Sequence, residues 1–514
     1  MIIAGLSTRR LQAAFFLALP LFCLLLASTS WAATWTVTKA TDNVADPGCL
    51  RWTVANAAAG DTIVFDSSLS GQTITLIAGV LVIDKNLTIN GLGADQLTVS
   101  GGGTQGVFQI AGNAAVNCTD LSVTNGNANL GGGFYLVSGS LALSRFRLVA
   151  NAANFGGGIY NPGGSVTLRE GLVADNTTTN TGGGVYNSLN ATLSVTDCTF
   201  SRNSADYGGG VHNDWGASAT VENSTFNSNT AATQGGGLYN GAGSPVLTLS
   251  NSTISGNSSN FGGGLYNAAG GNVNLAHCTV SGNTTTTRGG GLRAAGAITA
   301  RGSLLAGNAG PDGPDCAGTL TSAGYNLIGD LTSCVVTLTA GDLVDPDPRL
   351  GPLADNGGPT QTHALLTGSP AVDAADPVQP GLADQRGTTR PRDGDGDGVA
   401  ISDIGSFERI AVGLVVYKIG PGGGRVLSNP AGIDCGPTCH QGFDQNTVVV
   451  LTATPDAGST FLGWRDACSG TGACTVVLSE SKSVTAIFGQ SGGNGGGGSG
   501  GGGGGCFILV LDGD

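Results

Sequence analysis

Between residues 101 and 310 the apolar positions fall in short alternating runs with no sustained 3.6-residue spacing, which predicts strands rather than helices. Ten residues before each of Asn151, Asn176, Asn203, Asn229, Asn257, Asn283 and Asn308 stands one apolar column, Leu141, Val166, Leu193, Ala219, Leu247, Val273 and Ile298. Eight residues before them stands a second, Leu143, Leu168, Val195, Val221, Leu249, Leu275 and Ala300. Side chains two apart on a strand share a face, so both columns point the same way. A third column runs from Leu148 and Val173 to Leu305, and another short apolar element follows each glycine triplet, as in Ile159-Tyr160-Asn161. Three short strands separated by Gly, Asn, Ser and Thr make one coil of a parallel β-helix.

The unit repeats. Gly-Gly-Gly begins at residues 101, 131, 156, 182, 208, 235, 262 and 289, and Asn125 stands before the second triplet much as Asn151 stands before the third. Such a period marks stacked identical units, here an all-β, right-handed parallel β-helix of about eight rungs of 25–27 residues. No rung buries its few inward residues alone; stacked about 4.8 Å apart, the rungs form continuous ladders. Asn125, Asn151, Asn176, Asn203, Asn229, Asn257, Asn283 and Asn308 are expected to hydrogen-bond along the rod, with glycine supplying positive φ or close backbone approach at the corners.

Composition narrows the partners. The net charge is −14, and only 11 % of residues are charged. Residues 101–310 hold seven Arg, no Lys and seven acids, while residues 311–408 hold fifteen acids against four Arg. No basic surface exists for phosphate, so nucleic acid is not an expected partner.

Arg9 and Arg10 precede an apolar run from Leu11 to Ala27 and small residues around Ala32 and Ala33. Residues 1–33 therefore read as a secretory signal, too short in its apolar run for a retained membrane span, so the protein is expected to be exported, to the bacterial cell surface or beyond it. Membrane association would come only through an anchor or sorting tail. Residues 34–100 read as an N-terminal cap with the first coils. The segments Trp35–Thr38, Cys49-Leu50-Arg51-Trp52 and Gly60–Phe65 resemble the CSLREA-type module that precedes bacterial surface β-helices, although this copy lacks the serine and glutamate of that signature. A strand, a short helix and a second strand would close the open end of the rod.

Residues 311–410 carry a second resemblance. Tyr325–Gly329, Gly351–Leu366, Gly368–Asp373, Asp384–Gly387 and Asp403–Glu408, in that order, resemble the choice-of-anchor Q domain of secreted bacterial proteins. The resemblance implies a surface location and no general activity.

Residues 411–489 alternate in strand fashion and resemble the small all-β repeat domain near the C-termini of many bacterial surface proteins. Cys435, Cys439, Cys468 and Cys474 are disulfide candidates; a zinc site including His440 is the alternative, and the connectivity stays open. Cys198 and Cys278 share a column about three rungs apart, about 14 Å, too far to bond. A glycine-rich linker and Cys506 follow in residues 490–514.

The candidate chemistry is thin. Tyr160, Tyr186, His212, Tyr239 and Tyr266 occupy one column, a row that could present rings to a polysaccharide or another cell-surface component if it points outward. The rival reading is a polysaccharide lyase or glycoside hydrolase, for which Asp206, His212, Asp214, Arg202, Arg169 and Glu170 are the only candidates, with no paired base or metal cluster evident. Asp393, Asp395, Asp397 and Asp403 resemble a calcium loop, yet Ile404 stands where the closing bidentate glutamate belongs.

Overall fold

The computed structural model describes residues 32–377, 383–436 and 439–491; residues 1–31 of the segment read as a secretory signal, and residues 492–514 with Cys506, lie outside them. The main body is a parallel β-solenoid with three faces. One face stacks twelve strands, from Gln72–Thr75 to Leu343–Val344. A second stacks seven, from Asn127–Leu130 to Thr284–Arg288. The third carries two strands per coil, such as Ile159–Pro162 and Ser165–Arg169. Successive coils pair in register: Leu148 lies on Val173, and Val173 on Phe200.

Eight rungs therefore understate the rod. It begins before the first aligned triplet and continues past Asn308 through Cys316–Ser322, Leu327–Ile328 and Cys334–Thr337. The outer coils keep the inward apolar residues, including Ile74, Val99 and Ile328, but lack the triplet and the asparagine that mark the middle. Residues 311–344, the first part of the region that resembles a choice-of-anchor Q domain, thus continue the solenoid up to Val344.

Inward residues form like-on-like rows. Phe108 stacks on Phe134 at 5.0 Å and Phe200 on Phe226 at 4.6 Å. Each fully buried Leu, Val or Phe contributes roughly 1.5–3 kcal/mol of transfer energy, and because the rows are continuous the contribution is shared between rungs.

The triplet has a division of labour. Its first glycine is left-handed, as at Gly156 with φ 63° and Gly182 with φ 69°. The second and third lie against the next coil: a Cβ on Gly157 would sit 2.5 Å from the Gly183 carbonyl oxygen. The triplet at 101 is out of this register, since Gly106 takes the corner position against Gly131 and Gly132.

The asparagine column is real but starts one rung later than expected. Asn151 Nδ2 donates to Asn176 Oδ1 at 3.0 Å, and the same bond repeats through Asn203, Asn229, Asn257 and Asn283 to Asn308. Asn125 is not a member. It is an exposed left-handed residue, and the ladder position of its coil is Gly126, whose N–H donates to Asn151 Oδ1. A second interior ladder joins Asn161, Asn187, Asn213, Asn240 and Asn267 at 2.8–2.9 Å.

The N-terminal end is closed by Thr34–Val37, the helix Leu50–Asn56 and Thr62–Phe65. The Asp61 carboxylate accepts from Ala33 N, Trp35 Nε1 and Ala58 N, fixing the entry strand to the first coil.

Past Val344 the chain turns back. A hairpin, Leu350–Ala354 with Thr362–Leu365, leads into a segment that lies along the twelve-stranded face over Thr225, Thr253 and Thr279. Gln385 bridges two of these threonines, donating from Nε2 to Thr225 Oγ1 at 2.8 Å and accepting at Oε1 from Thr253 Oγ1 at 2.6 Å. His363 bonds Ser255 at 2.8 Å, and Ser406 N donates to Thr279 Oγ1 at 3.0 Å.

The small C-terminal unit is a four-stranded sheet containing Ala411–Ile419, His440–Asp444, Ser459–Asp466 and Lys482–Gln490, packed on a three-stranded sheet of Gly424–Asn429, Val448–Pro455 and Cys474–Val477. Trp464, Phe488, Val426 and Leu451 fill its core. Disulfides join Cys435 to Cys439 and Cys468 to Cys474, so the zinc alternative falls away; a third, unforeseen, joins Cys316 to Cys334 across the last coils. Cys49, Cys118, Cys198 and Cys278 are free and buried. Burial pushes the Cys118, Cys198 and Cys278 thiols up to about 12.

Candidate ligand-binding face

The aromatic column points outward. On Ile159–Pro162 the inward residues are Ile159 and Asn161, which leaves Tyr160 on the outer surface, and the parallel register repeats that orientation at Tyr186, His212, Tyr239 and Tyr266. Tyr135 extends the row one rung further. It was legible in the sequence, since it follows its triplet at the same two-residue offset as Tyr160.

The rings stack on one another. Tyr135 lies on Tyr160 at 5.6 Å with 10° between planes, Tyr160 on Tyr186 at 5.1 Å and Tyr239 on Tyr266 at 5.4 Å. His212 breaks the parallel stack, meeting Tyr186 edge-on at 5.0 Å and Tyr239 at 4.5 Å with a 45° tilt. Interior ring faces are therefore covered by neighbours, and edges and hydroxyls face outward. This corrects the expectation that each ring offers its face to a sugar: the coil spacing is close to the stacking distance of aromatic rings, so they satisfy one another first.

A second outward row flanks the first across the triplets. Leu130, Phe155, Thr181, Tyr207, Gln234, Phe261 and Arg288 are in register on the seven-stranded face. Phe155 approaches Tyr160 and Tyr186 at 6.4 and 6.2 Å, and Tyr207 approaches Tyr239 at 5.7 Å. Outward side chains of adjacent faces can touch only where the corner is re-entrant, so the row lies in a furrow along the rod.

His212 is 3 % exposed and Tyr186 8 %, whereas Tyr135, Tyr160, Tyr239 and Tyr266 are half-buried. His212 Nε2 bonds Asp214 Oδ2 at 3.0 Å, with Tyr186 OH at 3.5 Å from the same oxygen, while Asp214 Oδ1 is buried without a hydrogen-bond partner. Desolvation pushes the Tyr186 and Tyr239 hydroxyls up to about 12, which keeps them protonated donors across the physiological range.

The other candidates scatter. Arg202 is paired with Asp175 on an exposed corner, Asp206 is half-buried on the furrow wall, and Arg169 is exposed. Glu170 lines a separate cavity of about 860 Å³, with Asp120, Arg145, Arg147, Phe146 and Asp197, where the returning segment meets the twelve-stranded face.

The acidic loop is rearranged relative to expectation. Asp393 and Asp395 are joined by Asp373, their carboxylate oxygens within 4.8 Å of one another, a grouping that could hold a cation. Asp397 instead caps its own turn by accepting from Val399 N. Asp403 is fully buried and accepts from Asp373 N and Arg409 N; burial and the neighbouring Glu408 hold its carboxyl well above the usual carboxylate range. It positions Asp373, and both of its carboxylate oxygens are taken up by backbone N–H groups.

Residues 429–492 match the divergent InlB B-repeat domain family, which accounts for most of the small C-terminal unit. No curated protein matches the chain. Among solved structures, the crystal structure of pectate lyase Pel9A is similar over 74 % of this chain and 97 % of that one, at 12 % identity and a TM-score of 0.43. Among the described residues, no helix is long and apolar enough to cross a membrane.

Proposed function

We propose that this is an exported bacterial surface or extracellular protein whose solenoid presents its aromatic furrow to a polysaccharide or another cell-surface component, without cleaving it. The observation that carries the reading is the unbroken outward row from Tyr135 to Tyr266, flanked by Phe155, Tyr207 and Phe261. The half-buried tyrosines of this outward seam offer edges and protonated hydroxyls suited to sugar hydroxyls. The three disulfides and the repeat domain at 429–492 support export.

The second reading, a glycan lyase or hydrolase, rests on the His212–Asp214 pair. Its histidine is roofed by Tyr186 and Tyr239, leaving little room for a reacting atom. Incubation with a panel of neutral and acidic polysaccharides separates the two: retention without new reducing ends or unsaturated products supports binding, and either product supports the enzyme. No retention and no product would refute both.

A further inference from the structure

The two ends of the aromatic row differ from its middle. Among the described residues, Tyr135 has one aromatic neighbour along the row, Tyr160, and its opposite face is turned toward the coil of Gln109, its register partner. At the far end Tyr266 is followed by Arg293, whose guanidinium is engaged with the Ala294 and Ala317 carbonyls. The Tyr135 end opens into a cavity.

That cavity measures about 360 Å³, within the size range of small-molecule sites. It exists because the seven-stranded face begins at Asn127–Leu130; the preceding coil has no strand there, so the furrow wall drops away under Tyr135. Its walls include Tyr135 and the apolar side chains of Val80 and Leu130, and its polar groups are the amides of Gln105, Gln109, Asn127 and Asn129. Among the described residues, no charged one lines it. Gln105 Nε2 is committed to the Leu76 carbonyl, Asn127 Nδ2 to the Gly103 carbonyl at 3.0 Å, and Asn129 Oδ1 to Asn154 Nδ2 at 2.7 Å. The Gln109 amide makes no hydrogen bond among the described residues, and Asn129 keeps its Nδ2 donors free.

We infer that this cavity is a subsite for one neutral hexopyranose unit of a glycan, with Tyr135 as its aromatic platform and Gln109 and Asn129 as its hydroxyl-reading amides. This deepens the furrow reading and rests on it. An apolar ring face matches the C–H face of a pyranose, and an amide, which both donates and accepts, matches hydroxyls that do the same. The absence of lining charge selects against uronic acids, whose carboxylate would be desolvated with no cation to meet it. The glycan then runs from this subsite along the furrow, where the stacked rings offer edges rather than faces.

Isothermal titration of the full exported chain with cellotetraose, mannotetraose and maltotetraose, against tetragalacturonate, tests the inference. At least one neutral tetrasaccharide is expected to bind. Tyr135→Ala and Gln109→Ala should each weaken it about tenfold, Tyr135→Phe should retain affinity, and Tyr417→Ala, at an exposed tyrosine of the small C-terminal unit, should leave it unchanged. Gln109→Ala guards against a folding artefact in Tyr135→Ala, because Gln109 supports no neighbouring bond. Binding that survives both Tyr135→Ala and Gln109→Ala, or that is confined to tetragalacturonate, overturns the subsite while the furrow reading stands. Failure of every tetrasaccharide with intact polysaccharide still retained also overturns the subsite alone. Failure of polysaccharide and tetrasaccharide alike overturns both.

Discussion

Asn308 donates its side-chain amide to Asp315 Oδ1 at 2.8 Å, and that carboxylate oxygen also accepts the Asn308 backbone N–H at 2.9 Å. Asp315 ends the interior asparagine ladder: each asparagine below it hands its Nδ2 to the Oδ1 of the next, and the last requires an acceptor with nothing further to donate. Burial holds the Asp315 carboxyl above its ordinary value, opposed by the bonds it accepts from Asn308.

The ladder predicts a sharp contrast between two asparagines. Asn229 accepts from Asn203 N and Nδ2 and donates to Phe200 O and Asn257 Oδ1, so Asn229→Ala strands buried groups on both sides. A loss of about 2–4 kcal/mol is expected in urea unfolding. Asn125→Gly, at an exposed left-handed corner, should change stability by less than about 0.5 kcal/mol. Equal effects would show that Asn125 belongs to the ladder after all.

The returning segment is held by an apolar cluster, in which Leu365, Ile404 and Phe407 pack with Leu304 and Leu327 of the solenoid, and also by a polar clamp centred on Gln385. Gln385→Ala leaves Thr225 and Thr253 without their bridging partner and should cost about 2 kcal/mol. Limited proteolysis is the readout, with cleavage inside residues 350–408 accelerating while the solenoid stays intact.

Acid should loosen the same junction. His277 occupies a left-handed corner beside Arg301, Arg390 and Asp376, its Nδ1 buried without a partner. Burial first, then the two arginines, lowers it from 6.5 to about 4, with Asp376 opposing. The folded state therefore keeps it neutral while the unfolded chain takes up a proton below about pH 6.5. Its contribution is full above that pH and falls away as pH drops toward 4, by about 3 kcal/mol in all. His363, also lowered by burial, adds in the same direction. Unfolding midpoints measured from pH 7 to pH 4 should fall, and His277→Asn, which tolerates the left-handed corner, should flatten the curve; an unchanged slope would remove His277 as the cause.

Calcium is expected to bind the Asp373, Asp393 and Asp395 group weakly, as three carboxylates without a bidentate glutamate imply. Calorimetry should register heat on calcium addition to the native chain and none for Asp393→Asn. Absence of heat in the native chain would leave these residues as a solvated turn.

Much of the candidate site was visible in the chain itself. The column from Tyr160 to Tyr266 followed from the period of the repeat, and Tyr135 obeyed the same offset from its triplet; the outward direction, open in the sequence, came from the inward Ile159 and Asn161 on either side of Tyr160. Gln109 carried no such mark, because a single glutamine in an outer coil has no repeated neighbours to align it. Asp373 was likewise invisible, lying twenty residues before the Asp393 with which it meets.

The repeat alone determined the parallel coil, its inward rows and its asparagine ladder, because each of these contacts joins a residue to its own counterpart one period away. Tertiary structure decided what the period does not encode. The segment from Leu350 to Glu408 doubles back onto threonines more than a hundred residues earlier, Cys316 meets Cys334, and the tyrosine faces are consumed by one another. Those outcomes depend on distances between elements of different period, on the clash of a Cβ with the coil above, and on the coincidence of rung spacing with ring thickness. None of these is a property of one residue and its neighbours in the chain.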